Sequence, residues 1–261
     1  MRFVPFVVIV AALVAGVASP SWAITNGSPD ESGHPEVGAL IADKQNDDGT
    51  WSYCTGTLIS PTVFLTAAHC GARRQKTARV SFASHYEPGA PVYTGRYVAD
   101  PLHTDKSDAH DMAVVIFSTP VSGIKPATLP VAGMLDDLEA NGTLETTRFT
   151  PVGYGSLAPT KSKHGNQFTY TDTRNLTSIS FKALTRRWLE LNLHEGDGGT
   201  CFGDSGGPNF LGGPTSHLLV ATTISGDDDA CKATNYDYRL DTASAREFLG
   251  RFVTLPWPGH P

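Results

Sequence analysis

The chain is poor in charge, in sulfur and in long apolar runs, and each shortage removes a class of protein. Only 18% of its 261 residues are charged, and the formal balance is −6. A surface of that sign does not gather polyanions, so neither nucleic acid nor an anionic membrane is an expected partner. The longest apolar stretch, Phe3 to Val17, is broken by Pro5 and Gly16. It falls short of the ~20 residues that span a bilayer. No internal repeat and no metal-ligand spacing is visible; His34, His85, His103, His164 and His194 are scattered, and no cofactor is expected. With only four cysteines, an exported chain would carry two disulfides, and three pairings stay open.

What is present begins with an export signal. Arg2 supplies a positive start, the broken apolar stretch follows, and Ser21 and Ala23 stand at −3 and −1 of a small-x-small cleavage site. Residues 1–23 are therefore expected to leave as a signal peptide, exposing Ile24 and a secreted, extracellular domain over 24–261. Cleavage after Ala18 is the alternative and would leave a short pro-segment, Ser19 to Ala23.

That domain reads as all-β. Segments rich in β-branched and aromatic residues run over Val37–Ala42, Cys54–Ile59, Val63–Ala67, Arg79–Phe82, Met112–Phe117, Phe149–Tyr154, Trp188–Leu193, His217–Ile224 and Tyr236–Leu240. Many short strands separated by turn residues predict a sandwich or barrel. Thr160–Thr173 is polar and aperiodic, a surface loop. One helix is expected near the end, where Ala245, Phe248, Leu249 and Phe252 share a face. Ser244 and Glu247 have capping-box spacing, with Asp241 or Thr242 as other caps.

Three stretches carry chemistry. In GTCFGDSGGPNF, Gly199 to Phe210, glycines flank Ser205. Such a turn leaves room for a carbonyl and lets successive N–H groups converge on an oxyanion. A serine needs a neighbouring base, and the base an orienting carboxylate. FLTAAHC ends an apolar strand on His69, and DAHDMAVVIF sets Asp111 before another.

ITNG at Ile24, CTGTLISPTVFLTAAHC, HDMAVVIF, GYG at Gly153–Gly155 and CFGDSGGP, in that order, resemble the chymotrypsin/trypsin-type serine proteases. The resemblance runs from Ile24 to about Phe252. It implies two six-stranded antiparallel β-barrels, about 24–130 and about 131–243, and a C-terminal helix, about 244–253. It also implies a secreted, monomeric endopeptidase acting on protein or peptide substrates and met by protein inhibitors. His69 would be the base, Asp111 its orienter, Ser205 the nucleophile, and the Gly203 and Ser205 N–H groups the oxyanion hole. The same resemblance implies Cys54–Cys70 and Cys201–Cys231 disulfides, and an ion pair between the Ile24 amine and Asp204. Signal cleavage after Ala23 would create that amine directly.

For specificity the resemblance points to Gly199, Thr200, Ile224, Ser225, Gly226 and Tyr236 as substrate-binding residues. Gly199 stands where a basic-specific member carries aspartate, which removes the anchor for a basic P1. With Gly226 opening the mouth and Tyr236 shortening the pocket, the expected P1 preference is apolar, medium or small. Asp197 would reach the pocket base only with an offset loop, and the acidic run Asp227–Asp229 is read as a solvated rim. Two rival functions share the motifs. Gly203–Gly207 also fits the nucleophile elbow of serine esterases, which need their histidine after the serine; His217 and His260 are available. A catalytically silent binding protein on the same fold is the other. The sequons at Asn26, Asn141 and Asn175 are candidate glycan sites, although a glycan on Asn26 would obstruct the terminus.

Overall fold

The computed structural model describes residues 24–72, 75–192, 194, 197–228 and 230–257. The expected leader 1–23, with Leu193, Asp229 and His260, lies outside the described residues. Strand β1 (Ser28–Pro29) is followed by β2 (Val37–Ile41), β3 (Ser52–Ser60), β4 (Val63–Thr66), β5 (Thr77–Ser81), β6 (Tyr93–Ala99) and β7 (Ala113–Phe117). β2 to β7 close into an antiparallel barrel in the order β2-β3-β4-β7-β6-β5, with Ala39 paired to Ser81 across the seam. The sequences VGALI and AVVIF are apolar without alternation because both faces of β2 and β7 are covered. Phe64, Leu58, Leu65, Val80 and Val114 are all fully buried, with Phe64 and its neighbour Leu65 on opposite faces of β4. Each such side chain contributes roughly 1.5–3 kcal/mol by leaving water.

The second half holds α1 (Met134–Ala140), β8 (Arg148–Gly153), β9 (Thr160–Ser162), β10 (Gly165–Gln167), β11 (Asn175–Leu176) and β12 (Ile179–Leu184). β13 (Trp188–Asn192), β14 (Pro208–Leu211), β15 (Leu219–Gly226), β16 (Asn235–Arg239) and α2 (Ala243–Leu249) complete it. β8, β12, β13, β16, β15 and β14 follow one another and close when β14 pairs back with β8. The architecture is thus two closed six-stranded antiparallel barrels with a C-terminal helix.

Several expectations need correction. β1, counted with the first barrel by its place in the chain, pairs with β11 of the second sheet. The Thr160–Thr173 segment is not wholly loop, because β9 and β10 form a small hairpin there. Helix α2 is capped by Thr242, whose hydroxyl accepts the Ala245 N–H at 3.3 Å, so the Ser244–Glu247 box is not the cap. Phe252 lies past the helix, yet its ring still meets Phe248 at 5.2 Å.

A buried clasp holds the N-terminal segment to both barrels. The Arg174 guanidinium donates to Asp30 Oδ2 at 2.7 Å, to the Glu31 carbonyl at 2.7 Å and to the Val37 and Phe82 carbonyls at 3.1 and 3.2 Å. His34 Nδ1 sits 2.5 Å from Asp30 Oδ1. Burial alone would push the Asp30 carboxyl up; the His34 hydrogen bond and the Arg174 charge outweigh it and hold it low.

Candidate active site

β4 ends in a short 3-10 turn, Ala68–Cys70, which carries His69 into the cleft between the barrels. A Cys54–Cys70 disulfide ties that turn to β3. The Tyr97 hydroxyl holds it from the other side, 3.0 and 2.9 Å from the Ala67 and Ala68 carbonyls. Asp111 precedes β7 and is 2% exposed. Its Oδ1 accepts the His69 N–H at 2.9 Å and its Oδ2 lies 2.6 Å from His69 Nδ1. Burial would raise this carboxyl, but the His69 hydrogen bonds prevail and keep it below the ordinary range. An ionised Asp111 fixes the proton on Nδ1 and leaves Nε2 as the basic nitrogen facing the cleft.

Ser205 and His69 line one cavity of about 360 Å³. Among the described residues no hydrogen bond joins Ser205 Oγ to His69, whose ring bonds Asp111 instead, and such a gap does not disqualify a nucleophile and its base. Gly203 has φ of +97°, the left-handed region where a side chain would be strained. Its carbonyl is held by the Thr55 hydroxyl at 2.9 Å. The N–H groups of Asp204, Gly206 and Gly207 are spent on Cys201, Thr223 and Asp204 carbonyls, whereas those of Gly203 and Ser205 have no acceptor among the described residues.

Behind that turn Asp204 is fully buried. It accepts the Gly155 N–H on Oδ1 and the Cys201 N–H on Oδ2, both at 2.8 Å. Burial pushes the carboxyl up to about 7, and those two donors only moderate the shift. No cation pairs with it among the described residues. The glycines of GYG are explained by this contact: a Cβ on Gly155 would fall 2.5 Å from the carboxyl carbon. The next residue, Ser156, accepts the N–H of Ile24 at 3.2 Å. The buried Ile24 nitrogen and the Asp204 carboxyl are thus held by successive residues of one segment.

The 360 Å³ cavity is a pocket running back from Ser205, walled by Thr200, Phe202, Ile224, Ser225, Gly226 and Asn235 among others. Of the residues singled out for substrate binding, Gly199 and Tyr236 are not on its wall. Gly199 pairs backbone to backbone with Thr25, and Tyr236 points outward with its ring edge on Trp188. The wall residues missed in the sequence include Thr223, Ala233, Thr234, Asn235 and the exposed Phe202. The alternation of β16 was the available signal: if Tyr236 faces out, Asn235 faces in. Asp197 does not reach the pocket; it pairs with Arg148 and accepts from Ser180, which together overcome its burial and hold it low. Asp228 sits exposed at the rim. The Cys201–Cys231 disulfide joins the serine turn to the pocket's far wall. The one cluster of ligand-type atoms among the described residues is Cys54, Cys70 and His69, and both sulfurs are spent in the disulfide. Of the sequons, Asn175 is buried and Asn26 donates its amide to the Asp197 carbonyl, while Asn141 is exposed.

Two barrels with this cleft between them define the trypsin-type fold. A solved structure titled HL collagenase aligns with a TM-score of 0.66 at 22% identity, over 87% of this chain and 97% of its own. The chain belongs to the trypsin family, whose family model matches residues 24–247. It is 28% identical to a trypsin of Phaedon cochleariae over 62% of this chain and 65% of that one. It is 27% identical to kallikrein-2 of Homo sapiens over 62% and 67%. A snake venom serine protease homolog of Bothrops jararaca is 25% identical over 65% and 66%. These alignments span about two thirds of each relative.

Proposed function

We propose that this chain is a secreted serine endopeptidase working as a monomer over residues 24–261. The observation that carries the reading is the pair of unspent N–H groups at Gly203 and Ser205, beside a serine and a histidine that share one cavity. His69 Nε2 takes the Ser205 proton as Oγ attacks the substrate carbonyl. The oxygen that becomes negative accepts from the two N–H groups. Asp111 stabilises the imidazolium, which then gives its proton to the leaving amine. Water attacks the acyl-enzyme by the same route, returning the proton to Ser205.

The pocket favours an apolar P1 side chain. Its wall carries Phe202, Ile224 and the Cys201–Cys231 disulfide, its buried polar groups Thr200, Thr223, Thr234 and Asn235 are neutral, and its acid, Asp228, stands exposed at the rim. Activation follows release of the Ile24 amine by removal of 1–23. The Asp204 carboxyl is otherwise a buried acid without a cation, and pairing it with the amine favours the loop that aims Gly203 and Ser205 inward. Protein inhibitors that enter the same cleft would be natural partners.

The test is digestion of a peptide library by the secreted protein and by Ser205→Ala, with cut sites read by mass spectrometry. Cleavage after apolar residues by the wild type alone is expected. Equal cleavage by both proteins, or silence from both with Ile24 confirmed as the first residue, defeats the protease reading and favours a binding protein.

A further inference from the structure

We propose that His103 is a positioning residue for the Asp111–His69 pair, an inference that rests on the catalytic reading above. His103 lies on the loop after β6, where its backbone N–H donates to the Asp100 carbonyl at 3.0 Å. Its imidazole is only 14% exposed, and Nδ1 is buried with no hydrogen-bond partner among the described residues. That nitrogen is 3.9 Å from Asp111 Oδ1. The distance is beyond a hydrogen bond but well within reach of a dipole facing a carboxylate.

Two tautomers are open to the ring, and the carboxylate distinguishes them. A lone pair on Nδ1 would face the Asp111 charge and be repelled, whereas an Nδ1–H would be attracted. The proton therefore belongs on Nδ1, and Asp111 is gripped from two sides. His69 holds Oδ2 through Nδ1 and Oδ1 through its backbone, while His103 faces Oδ1 from across the loop. Among the described residues nothing else nearby does this work. Asp100 faces His110 at 3.6 Å and accepts the Leu102 N–H; Asp105 and Asp108 are exposed. Burial pushes the Tyr97 phenol up, so it stays neutral, and Ile224 brings only hydrocarbon to the neighbouring cavity wall.

The consequence concerns proton affinity. The positive end of the His103 dipole lowers the negative potential felt by His69, so removing it makes the imidazolium easier to form. His103→Leu deletes the dipole, and His103→Asn returns an N–H close to the place of Nδ1. For His103→Leu, kcat should fall about tenfold with KM unchanged, while His103→Asn stays within about threefold of wild type. The acid limb of kcat/KM should move up by about half a pH unit in the leucine variant only. The His69 ring titration, followed by NMR in the resting protein, should move with it and needs no turnover. A leucine variant with wild-type kcat and an unmoved His69 titration overturns the proposal. So does an asparagine variant as impaired as the leucine one, which would mark a packing role. If the wild type proves inactive the protease reading fails by itself, and the His69 titration still decides the place of His103.

Discussion

No strand of the first barrel buries a charged side chain, and the buried acids beside its strands, Glu36, Asp100 and Asp111, each face a histidine; β16 alone buries Asp237 and Arg239, and the turn before β14 buries Asp204. The first barrel is set by hydrocarbon packing. Its contribution, the His69–Asp111 pair, is in place once Phe64, Leu65 and the β7 valines have packed. The second barrel adds electrostatic partnership to its own apolar core of Phe149, Ile179, Leu189, Leu191 and Val220, and its partners are unevenly supplied. Arg239 is satisfied by Asp241 at 3.0 Å and Asp136 at 2.8 Å. Asp237 accepts from Asn209 at 2.7 Å, yet its Oδ2 has no partner among the described residues, and burial raises its carboxyl to about 7. Asp204 is raised to about 7 for the same reason. The half proposed to carry the nucleophile is therefore the half with two carboxyls that burial has raised, one of them the proposed partner of the Ile24 amine.

Breaking the packed half should change chemistry without loosening the fold. Asp111→Asn leaves the barrel core untouched but removes the anion that fixes the His69 tautomer. A kcat loss of about 10⁴-fold is expected, with an unchanged unfolding midpoint. A loss of only a few fold would mean that packing alone orients His69. Next in size is the clasp between the halves. Arg174→Met strands Asp30 in a buried site with only His34 beside it, and should cost about 3–5 kcal/mol in urea unfolding. An unaltered midpoint would show that the segment after Ile24 is held by its strand pairing with β11 instead.

The smallest effect concerns Asp237. Its folded value, about 7, lies above the ordinary 3.8, so the folded protein holds a proton that the unfolded chain has released. Its destabilising contribution is absent below about pH 4, grows between pH 4 and 7 and is full above that. Asp237→Asn removes that dependence while keeping a neutral group beside Asn209. The wild-type Tm should fall relative to the variant across this window, and parallel curves would contradict the assignment.

The same contrast decided what could be read from residues alone. Every strand anticipated in the sequence has a counterpart, because VFLT and AVVIF bury continuous apolar runs that need no partner to be recognised. The missed strands lack that mark. β6 is interrupted by Gly95 and Arg96, β12 shifts register between Phe181 and Ala183, and β14 begins on a proline after two glycines. Helix α1 was missed because its start is secured from far away: the Asp241 carboxyl accepts the Leu135 N–H at 2.8 Å. At the site, His69, Asp111 and Ser205 stood in recognisable motifs. The pocket did not, since its wall depends on which residues of β16 face inward. The half-satisfied carboxyl of Asp237 and the approach of His103 to Asp111 are tertiary facts with no local signature.

The central claim is that the second barrel's catalytic turn is completed by the Ile24 amine, and one comparison addresses it directly. Two proteins are made, one beginning at Ile24 and one retaining Ala23, and kcat/KM is measured on the same peptide from pH 6 to 10. An amine near ~8 in an unfolded chain is raised by pairing with Asp204. The Ile24 form should therefore be active at neutral pH and lose activity as alkaline pH removes that proton. The Ala23 form, with an amide where the amine should be, should be at least about 10²-fold weaker throughout, comparable to losing an oxyanion donor. Equal activity of the two forms, with no alkaline decline, would contradict the account.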